Sequence, residues 1–395
     1  KKKAPLVRRM KEFVKTSVVW GPLDHNLFFT IIFLNVYGII MVYSASYNNS
    51  ITKNYSYFMN NQLKNVIFGF VIMIVASYVN YHRIVRLGWG WFWLLAAVAI
   101  IAALKTPLAH SELGATRWIK LGPVSFQAAE PIKAAIIIFF AYYVSYWGLN
   151  RWYNQLLACL LAIALLGFLF FFSNNLSTVI VLFCICAVII LSSVKKPDLY
   201  WYFLLGLALI IIAAIFVTVY LLMHQGAENF RFVRIRAWLH PEEYAADEGL
   251  QAMQARYAIG AGGFWGKGLG QSLIKFKLSY SYNDFILAII CEELGVFGVI
   301  VMMTLFGYLL YRIYKIAQNA WDIEGKVLAI GVFTQIALQL LINVMVVTSV
   351  IPTTGVTLPF FSAGGTSVVF LLAELGMVLN VDKYAKERRF FEEAE

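Results

Sequence analysis

The sequence has few charged residues, and long stretches of it have none. Only 13% of the 395 residues are Asp, Glu, Lys or Arg, whereas 61% are hydrophobic. A single soluble core could not bury so many apolar side chains, so the composition excludes an ordinary soluble domain. It predicts a polytopic membrane protein, because apolar runs long enough to cross a bilayer recur along the chain.

Cysteine and histidine are also scarce, which excludes two kinds of site. The four cysteines lie inside apolar segments and form no CxxC pair, so the sequence carries no disulfide framework. The five histidines are scattered, without an HExxH motif or a comparable ligand spacing. A zinc site is therefore not expected.

Basic residues outnumber acidic ones, with 32 Lys and Arg against 21 Asp and Glu. In a soluble protein this excess would raise the question of nucleic acid. In a membrane protein the positive-inside rule and anionic lipid account for it, so membrane lipid is an expected partner and nucleic acid is not. The basic residues concentrate in the connections on the same side as the N-terminal segment, which predicts that both termini are cytoplasmic.

Ten apolar runs have the length of a membrane-spanning helix. They fall at about residues 25 to 45, 62 to 79, 89 to 104, 131 to 147, 152 to 172, 176 to 193, 199 to 223, 284 to 311, 326 to 350 and 366 to 380. The fifth and sixth runs are separated only by residues 173–175. Two tightly turned helices are predicted there, because one helix needs only ~20 residues to cross once.

The predicted fold is an all-α polytopic membrane protein with ten transmembrane helices and a large extracellular loop between spans 7 and 8. That loop covers residues 224–283. The membrane domain covers 25–380, between a cytoplasmic N-terminal segment, 1–24, and a cytoplasmic tail, 381–395. The first run is interpreted as a retained span, because it is too long for a secretory signal and lacks a small-residue cleavage site.

The stretch from Gln254 to Gly295 combines glycines, cations and a carboxylate. It includes AIGAGGFWGKGLGQS, which contains Lys267, continues through Lys275, and reaches Asp284 where an apolar helix begins. Backbone amides freed by glycine, together with ammonium groups, predict a cradle for a pyrophosphate. The alternative is a flexible loop tip. A Walker A nucleotide loop is excluded because two of its required residues are missing.

Asp284 is the predicted catalytic residue, because a carboxylate at the membrane edge beside cations can take part in chemistry on a charged lipid. The alternative role is that of a helix N-cap. On a helix, Ala288 and Glu292 follow Asp284 on the same face. Glu292 and its neighbour Glu293 lie deeper, where an ionised side chain needs a partner or a wet cavity. They are therefore either functional or members of structural ion pairs.

Two further segments supply candidate binding residues. In GATRWIKLGPVSFQAAEPIK, Glu130 and Lys133 are three apart and can meet on one helix face, for substrate or simply as a salt bridge. Arg117 could bind an anionic head group or act as an anchor in the aromatic belt. Residues 352–367, PTTGVTLPFFSAGGTS, are irregular at membrane depth and are predicted to form a re-entrant wall of the outer cavity. Glu374, further along, is a buried carboxylate whose partner the sequence does not reveal.

Taken together, these motifs resemble the SEDS family (shape, elongation, division and sporulation; RodA/FtsW/SpoVE-like). The resemblance covers nearly the whole chain. Its markers are GATRWIKLGPVSFQAAEPIK, SNNLST at 173–178, AIGAGGFWGKGLGQS with NDFILAIICEELG, and TGVTLPFFSAGGTS, in the order of the family. The segments SNNLST and NDF resemble the division and sporulation members of the family more than the elongation members.

The resemblance implies a peptidoglycan glycosyltransferase that polymerises lipid II into undecaprenyl-linked glycan, outside the bacterial cytoplasmic membrane, with a class B penicillin-binding protein transpeptidase as partner. Asp284 matches the essential loop aspartate of the family. Glu130 and Lys133 match a QPSE…K element, of which Gln127 is retained and the Pro and Ser are absent. The Leu-Pro-Glu of many members is also missing ahead of Asp284.

The hypothesis for the chemistry is that Asp284 accepts the proton of an attacking sugar hydroxyl in an inverting transfer. Positive charge would stabilise the leaving undecaprenyl pyrophosphate, either from basic residues or from a divalent cation, Mg or Mn, to which Asp284 is a possible ligand. The further predicted substrate-binding residues are Arg117, Gln127, Glu130, Lys133, Lys267, Lys275, Glu292 and Ser362.

Three rival functions use the same residues. A lipid II flippase would use a charged intramembrane cavity with Glu130, Lys133 and Glu292. An ion-coupled solute transporter would also bury carboxylates, although the hydropathy shows no inverted repeat. A scaffold that only recruits a synthase would not need Asp284.

Overall fold

A computed structural model describes residues 18–46, 57–112, 115–121, 124–173, 175–194, 230–244, 249–276 and 282–394. Its α-helices, in chain order, are α1 His25–Ser46, α2 Tyr57–Tyr78, α3 Tyr81–Val85, α4 Trp91–Ala103, α5 Ala129–Trp147, α6 Trp152–Ser173, α7 Leu176–Ser193, α8 Phe230–Leu239, α9 Leu250–Gly262, α10 Ile286–Asn319, α11 Ile323–Val347 and α12 Thr366–Ala394. Short 3-10 turns occupy Leu87–Gly90 and Ile274–Phe276.

The helical, membrane-spanning character of the chain is confirmed. Within the described residues, six helices are long and apolar enough to cross a bilayer, namely α1, α2, α6, α7, α10 and α11. Helix α4 is apolar but shorter. The predicted span at 199–223 lies outside the described residues, so the count of ten spans and the placement of the large loop stay predictions.

The predicted break between the fifth and sixth apolar runs is confirmed. Helix α6 ends at Ser173 and α7 begins at Leu176. The Asn175 side chain accepts a hydrogen bond from the Thr178 amide, in extended backbone, and so caps α7. The side chains of SNNLST therefore stop one helix and start the next.

The prediction that the fold is all-α is wrong for residues 109–127. Three antiparallel strands, β1 Ala109–Glu112, β2 Ala115–Leu121 and β3 Val124–Gln127, form a small sheet in the order β1-β2-β3. In β2, Ile119 is buried whereas the next residue, Lys120, is exposed. This alternation is what a half-buried strand requires, and the run is too short for the hydropathy pattern to reveal.

Helix α5 lies in the centre of the bundle. Its residues from Ile132 to Val144 are buried with the single exception of Ala134, so it has no face that meets solvent or lipid over that stretch. Helices α2 and α12 pack closely against each other through small residues. A side-chain carbon added to Gly376 would lie 2.5 Å from the carbonyl oxygen of Met73, which explains why glycine stands there.

Helix α10 is broken at Gly295, whose φ of 65° is non-helical. The break removes two intrahelical hydrogen bonds, those from Val296 to the Glu292 carbonyl and from Phe297 to the Glu293 carbonyl. The loop after α9 replaces all four lost partners. Its Lys267 and Gly268 amides donate to the Glu292 and Glu293 carbonyls at 2.9 Å, and its Gly263 and Phe264 carbonyls accept from Val296 and Phe297 at 3.1 Å.

These bonds exclude the flexible tip and engage two amides of the predicted pyrophosphate cradle. The glycine-rich segment is not a flexible tip, because its backbone is bonded to the kink of α10. The amides of Lys267 and Gly268 cannot form a pyrophosphate cradle, because carbonyls of α10 already accept them. The glycines serve the close approach instead, since a side-chain carbon on Gly262 or Gly266 would collide with the backbone of α10.

We expect the packing of α9 on α10 to be sensitive at one glycine and insensitive at another. Gly262→Ala would drive a methyl group into the Cys291 carbonyl, an overpacking that costs roughly 1–3 kcal/mol. Gly260, two residues earlier, has open space, so Gly260→Ala should leave stability unchanged or raise it by up to ~1 kcal/mol. Thermal unfolding of the purified variants in detergent measures both. Equal melting temperatures for the two variants would contradict the packing described.

Candidate functional site

Asp284 lies in a turn directly before α10. The turn covers residues 282–285, and the helix begins at Ile286 with Phe285 as its cap residue, which makes no side-chain capping bond. The N-cap position is therefore Phe285, one residue after Asp284. Its side chain is partly buried, between the exposed surface and the core.

The backbone of the turn is fixed from α11. The fully buried Asn343 side chain donates hydrogen bonds through its nitrogen to the carbonyl oxygens of Asp284 and Val356, each at 2.9 Å. One amide thus joins three segments: the turn, α11 and the irregular segment that follows α11. Because Asp284 is held by its own carbonyl, its side chain starts from a defined position.

Ser362 fixes the neighbouring residue of the same turn. Its hydroxyl donates to the carbonyl oxygen of Asn283 at 2.8 Å and accepts from the Leu358 amide at 2.7 Å. The Ala363 amide adds a bond of 2.9 Å to the Tyr282 carbonyl. Ser362 was a predicted substrate-binding residue, and the structure shows what its hydroxyl does within the chain: it ties the re-entrant segment to the turn.

A small polar cleft adjoins this turn. It has a volume of about 30 Å³ and is lined by residues of the β3–α5 connection, α7, α11 and the segment after α11. Its polar lining consists of Gln127, Glu130, Lys133, Asn175, Ser177, Thr178, Gln339 and Thr357. Val356 also lines the cleft, and Asn343 bonds both Val356 and Asp284, so the cleft and the turn share a wall. Residues 355–357, within the segment predicted to be re-entrant, line this cleft.

Glu130 and Lys133 form an ion pair on the first turns of α5. The Lys133 nitrogen lies 2.9 Å from the Glu130 carboxylate, and both side chains are buried. The intrahelical salt bridge considered from sequence is therefore present. Gln127, Glu130 and Lys133 all line the cleft, so the structure brings these three predicted residues together.

Glu374 has the partner that the sequence did not reveal. The Gln335 amide donates to its carboxylate at 2.8 Å, in the buried interior between α11 and α12. Gln335, Gln339 and Asn343 are each four residues apart in α11, on one face of the helix. Sequence reasoning missed this stripe of amides, although three amides at that spacing in an apolar helix were the signal that could have revealed it.

Lys267 and Lys275 are engaged with the two deep glutamates. The Lys267 nitrogen lies 2.8 Å from Glu292, and the buried Lys275 nitrogen lies 3.6 Å from Glu293. Glu292 accepts further hydrogen bonds from Ser272 and from two backbone amides of the same loop. The structural ion pair that competed with a functional role for Glu292 is therefore what the structure contains.

Glu292 and Asp284 lie apart along the chain direction of α10. Glu292 lies about 9 Å of helical rise from Ile286, the first residue of α10, and Asp284 precedes that residue. Lys267 and Lys275 pair with Glu292 and Glu293, next to the kink of α10. Ala288, expected between the two carboxylates, is fully buried.

Two further predictions concern Arg117 and a metal ion. Arg117 belongs to β2, and its side chain is outside the part that the structure describes. Among the described residues, no group of three or more His, Cys, Asp and Glu side chains could hold a metal ion.

Comparison with known sequences gives matches along nearly the whole chain. The family model for FtsW, RodA and SpoVE, described as a cell cycle protein, matches residues 24–387. The probable peptidoglycan glycosyltransferase FtsW of Trichlorobacter lovleyi is 31% identical over 382 residues, covering 94% of this chain and 96% of that protein. The stage V sporulation protein E of Bacillus subtilis is 33% identical over 370 residues, covering 90% of this chain and 96% of its own.

Solved structures share the fold. A chain in a peptidoglycan synthase complex, studied for its coordination of polymerization and crosslinking, superposes with a TM-score of 0.76 over 93% of this chain and 99% of its own. The rod shape determining protein RodA of Thermus thermophilus gives a TM-score of 0.66 over 92% of this chain and 97% of its own. Each is 22% identical to this chain, so these likenesses concern the fold.

We expect Lys267 to be needed for stability. Lys267→Met leaves the fully buried Glu292 without its cation, and because the Lys267 side chain is 33% exposed, the cost should be roughly 1–3 kcal/mol. Thermal unfolding in detergent measures it, with Lys120→Met, an exposed lysine of β2, as the matched control. The double variant Lys267→Met with Glu292→Gln should recover part of the loss. An unchanged melting temperature for Lys267→Met would indicate that Lys267 serves only a ligand.

Proposed function

Because the chain belongs to the FtsW, RodA and SpoVE family, we propose that it is a peptidoglycan glycosyltransferase that polymerises lipid II into glycan strands. The observation that carries the activity is the match over 94% of the chain to a relative named a probable peptidoglycan glycosyltransferase. The structure contributes a partly buried aspartate in a turn whose backbone is fixed by Asn343 and Ser362. We propose Asp284 as the general base.

The proposed reaction joins two lipid-linked sugars with inversion. The 4-hydroxyl oxygen of a GlcNAc unit attacks C1 of a lipid-linked MurNAc and forms the new C–O bond, while its proton passes to the Asp284 carboxylate. The bond from C1 to the phosphate oxygen breaks, and its electron pair leaves with undecaprenyl pyrophosphate. Because this leaving group departs readily, one base and some positive charge suffice, and a second carboxylic acid is not required.

Positioning is the contribution that the fold supports most directly. Reaction at C1 requires the base to be held close to its proper geometry, and small displacements are costly. The hydrogen bonds from Ser362 and Asn343 hold the peptide carbonyls on the two sides of the Asp284 α-carbon, those of Asn283 and Asp284. The same Asn343 side chain also binds the Val356 carbonyl, so a shift of the cleft wall would displace Asp284.

The positive charge at the leaving group has fewer sources than the sequence suggested. Lys267 and Lys275 are paired with Glu292 and Glu293, which reduces what they can offer an anion. We therefore propose that Arg117 supplies the larger part of the positive charge at the leaving group. A divalent cation such as Mg or Mn, bound between Asp284 and the phosphates, would supply further charge.

The cleft is proposed to receive the polar part of the substrate. Its amides, hydroxyls and the Glu130–Lys133 pair can hydrogen-bond the hydroxyl and acetamido groups of a sugar. Its volume of about 30 Å³ is close to that of one water molecule, so only part of a sugar would enter it unless the walls move. Gln127, Glu130 and Lys133 keep their assignment as substrate-binding residues within this proposal.

The setting proposed for the enzyme is the bacterial cytoplasmic membrane. The chain would cross it ten times, with both termini cytoplasmic and Asp284 at the outer face, where lipid II and the glycan product are located. A class B penicillin-binding protein is the proposed partner, by analogy with the synthase complex that shares the fold. The small cleft gives no particular support to a flippase, which would need a path for the whole head group.

We expect Asp284→Asn to abolish polymerisation of lipid II, because an amide cannot accept the proton of the attacking hydroxyl. Purified protein is incubated with lipid II, with and without its transpeptidase partner, and glycan chains are resolved on a gel. Glu243→Gln, which neutralises an exposed acid of another outer segment, is the matched control and should retain full activity. Both variants should unfold at the temperature of the parent protein.

Two results would count against this assignment. Glycan chains of normal length from Asp284→Asn would exclude the general-base role and favour a scaffold. Movement of labelled lipid II across vesicles without polymer, reduced by changes at Glu130 or Lys133 more than at Asp284, would favour the flippase.

A further inference from the structure

The loop after α9, residues 263–276, exposes large apolar side chains. Trp265 is 74% exposed and Leu273 is 65% exposed, and about half of the surface is exposed in three more, namely Phe264, Leu269 and Phe276. The structure describes this loop throughout, and its only exposed polar side chains are those of Lys267 and Gln271. Five large apolar side chains on one short loop mark a contact with a partner or with a membrane.

The backbone of the same loop is largely satisfied within the chain. The amides of residues 266–268 and 271–275 donate hydrogen bonds to carbonyls or to the side chains of Ser272, Glu292 and Glu293. An unsatisfied backbone group is costly in hydrocarbon, so irregular backbone can approach a bilayer only where the protein supplies its partners. This loop meets that condition without water.

The two cations of the loop are neutralised. Lys267 lies 2.8 Å from Glu292, and Lys275 lies 3.6 Å from Glu293. Lys275 is buried and also donates to the carbonyls of Ser44 and Gly270. With each lysine paired to a buried carboxylate, the loop and the kink of α10 together carry no net charge that lipid would have to accommodate.

The apolar side chains of the loop continue the exposed surface of α10. The ring centroids of Trp265 and Phe297 are 5.7 Å apart. Phe297, Ile300, Val301 and Tyr308 are all exposed, and their spacing places them on one side of α10. This helix is long and apolar enough to cross a bilayer, so that side faces lipid. Because Trp265 adjoins Phe297, the same lipid reaches the loop.

The spacing along α10 sets the depth of this contact. Arg312, which is paired with Asp24, lies towards the far end of the helix. Val296, whose amide donates to the Gly263 carbonyl, is 16 residues earlier, a helical rise of roughly 24 Å. A hydrocarbon core is about 30 Å thick. With Arg312 at one headgroup level, the loop meets α10 just inside the opposite boundary, where tryptophan is favoured.

We propose that residues 263–276 lie in the bilayer, in the leaflet nearest the Asp284 turn, rather than in the aqueous space outside it. The five exposed apolar side chains enter the acyl region, and the glycine-rich backbone stays against α10. The occupant of this surface is membrane lipid. The loop thereby anchors α9 and the kink of α10 at a fixed depth, whatever the chemistry at Asp284.

The test measures the surroundings of spin labels on the purified full chain in phosphatidylcholine nanodiscs. Leu269→Cys or Leu273→Cys carries a nitroxide, in protein whose four native cysteines are replaced by alanine. Power-saturation EPR compares collisions with oxygen, which concentrates in hydrocarbon, and with a water-soluble nickel chelate. Ile300→Cys, on the exposed side of α10, is the hydrocarbon control, and Glu243→Cys, in an exposed turn after α8, is the water control.

Both loop labels should behave like the label at Ile300. Their ratio of oxygen to nickel collisions should exceed that of Glu243→Cys by about fivefold or more. A ratio equal to that of Glu243→Cys would overturn the proposal, because the loop would then lie in water. Low access to both reagents would overturn it as well, because the loop would then be covered by protein.

A second measurement keeps the native cysteines, so it does not depend on the folding of the cysteine-free protein. The emission of Trp265 is the difference between the parent and Trp265→Phe. In nanodiscs of acyl-brominated lipid this difference should fall by about half or more, and aqueous iodide should leave it unchanged. Trp321→Phe, in the exposed connection after α10, is the control and should show the reverse. Quenching of Trp265 by iodide and not by bromine would contradict the proposal.

Discussion

The structure depends on one constraint: a carboxylate inside an apolar bundle needs a donor close by, because an unpaired charge there is too costly. The deep carboxylates meet it with donors from other parts of the chain. The pairs are Glu130 with Lys133, Glu292 with Lys267, Glu293 with Ser44 and Glu374 with Gln335. Three of these four pairs join different elements, so they also decide which elements lie together: α10 beside its preceding loop, α10 beside α1, and α12 beside α11.

The amide stripe of α11 extends the same principle to neutral groups. Gln335 serves Glu374, Gln339 lines the cleft, and Asn343 holds the carbonyls of Asp284 and Val356. A neutral amide can donate in the interior without the desolvation cost of an ion, and it brings an acceptor as well. One face of α11 therefore provides the buried polar groups between Glu374 of α12 and the turn that contains Asp284.

Sequence periodicity predicted the helices well, because apolar runs of membrane length leave little choice, and Asn175 marked the break between α6 and α7. It did not predict the sheet at 109–127, which is short and depends on pairing between segments. The sequence also could not predict which residues pair with Glu292 and Glu293, although it indicated that both acids need partners. Their lysines reach them only because the loop bonds to the kink at Gly295, and that kink arises from tertiary contacts.

The partners of Glu292 also explain why this deeper acid is not assigned the proton. Glu292 accepts from a lysine, a serine and two amides, so taking up a proton would disrupt several hydrogen bonds at once. Asp284 lies outside the helix, in a partly buried turn, where its position is set through the backbone carbonyl. The hydrogen bond from Asn343 to the main-chain carbonyl of Asp284 fixes the location of this residue. A general base needs a fixed location, because its carboxylate must change protonation state while its position stays constant.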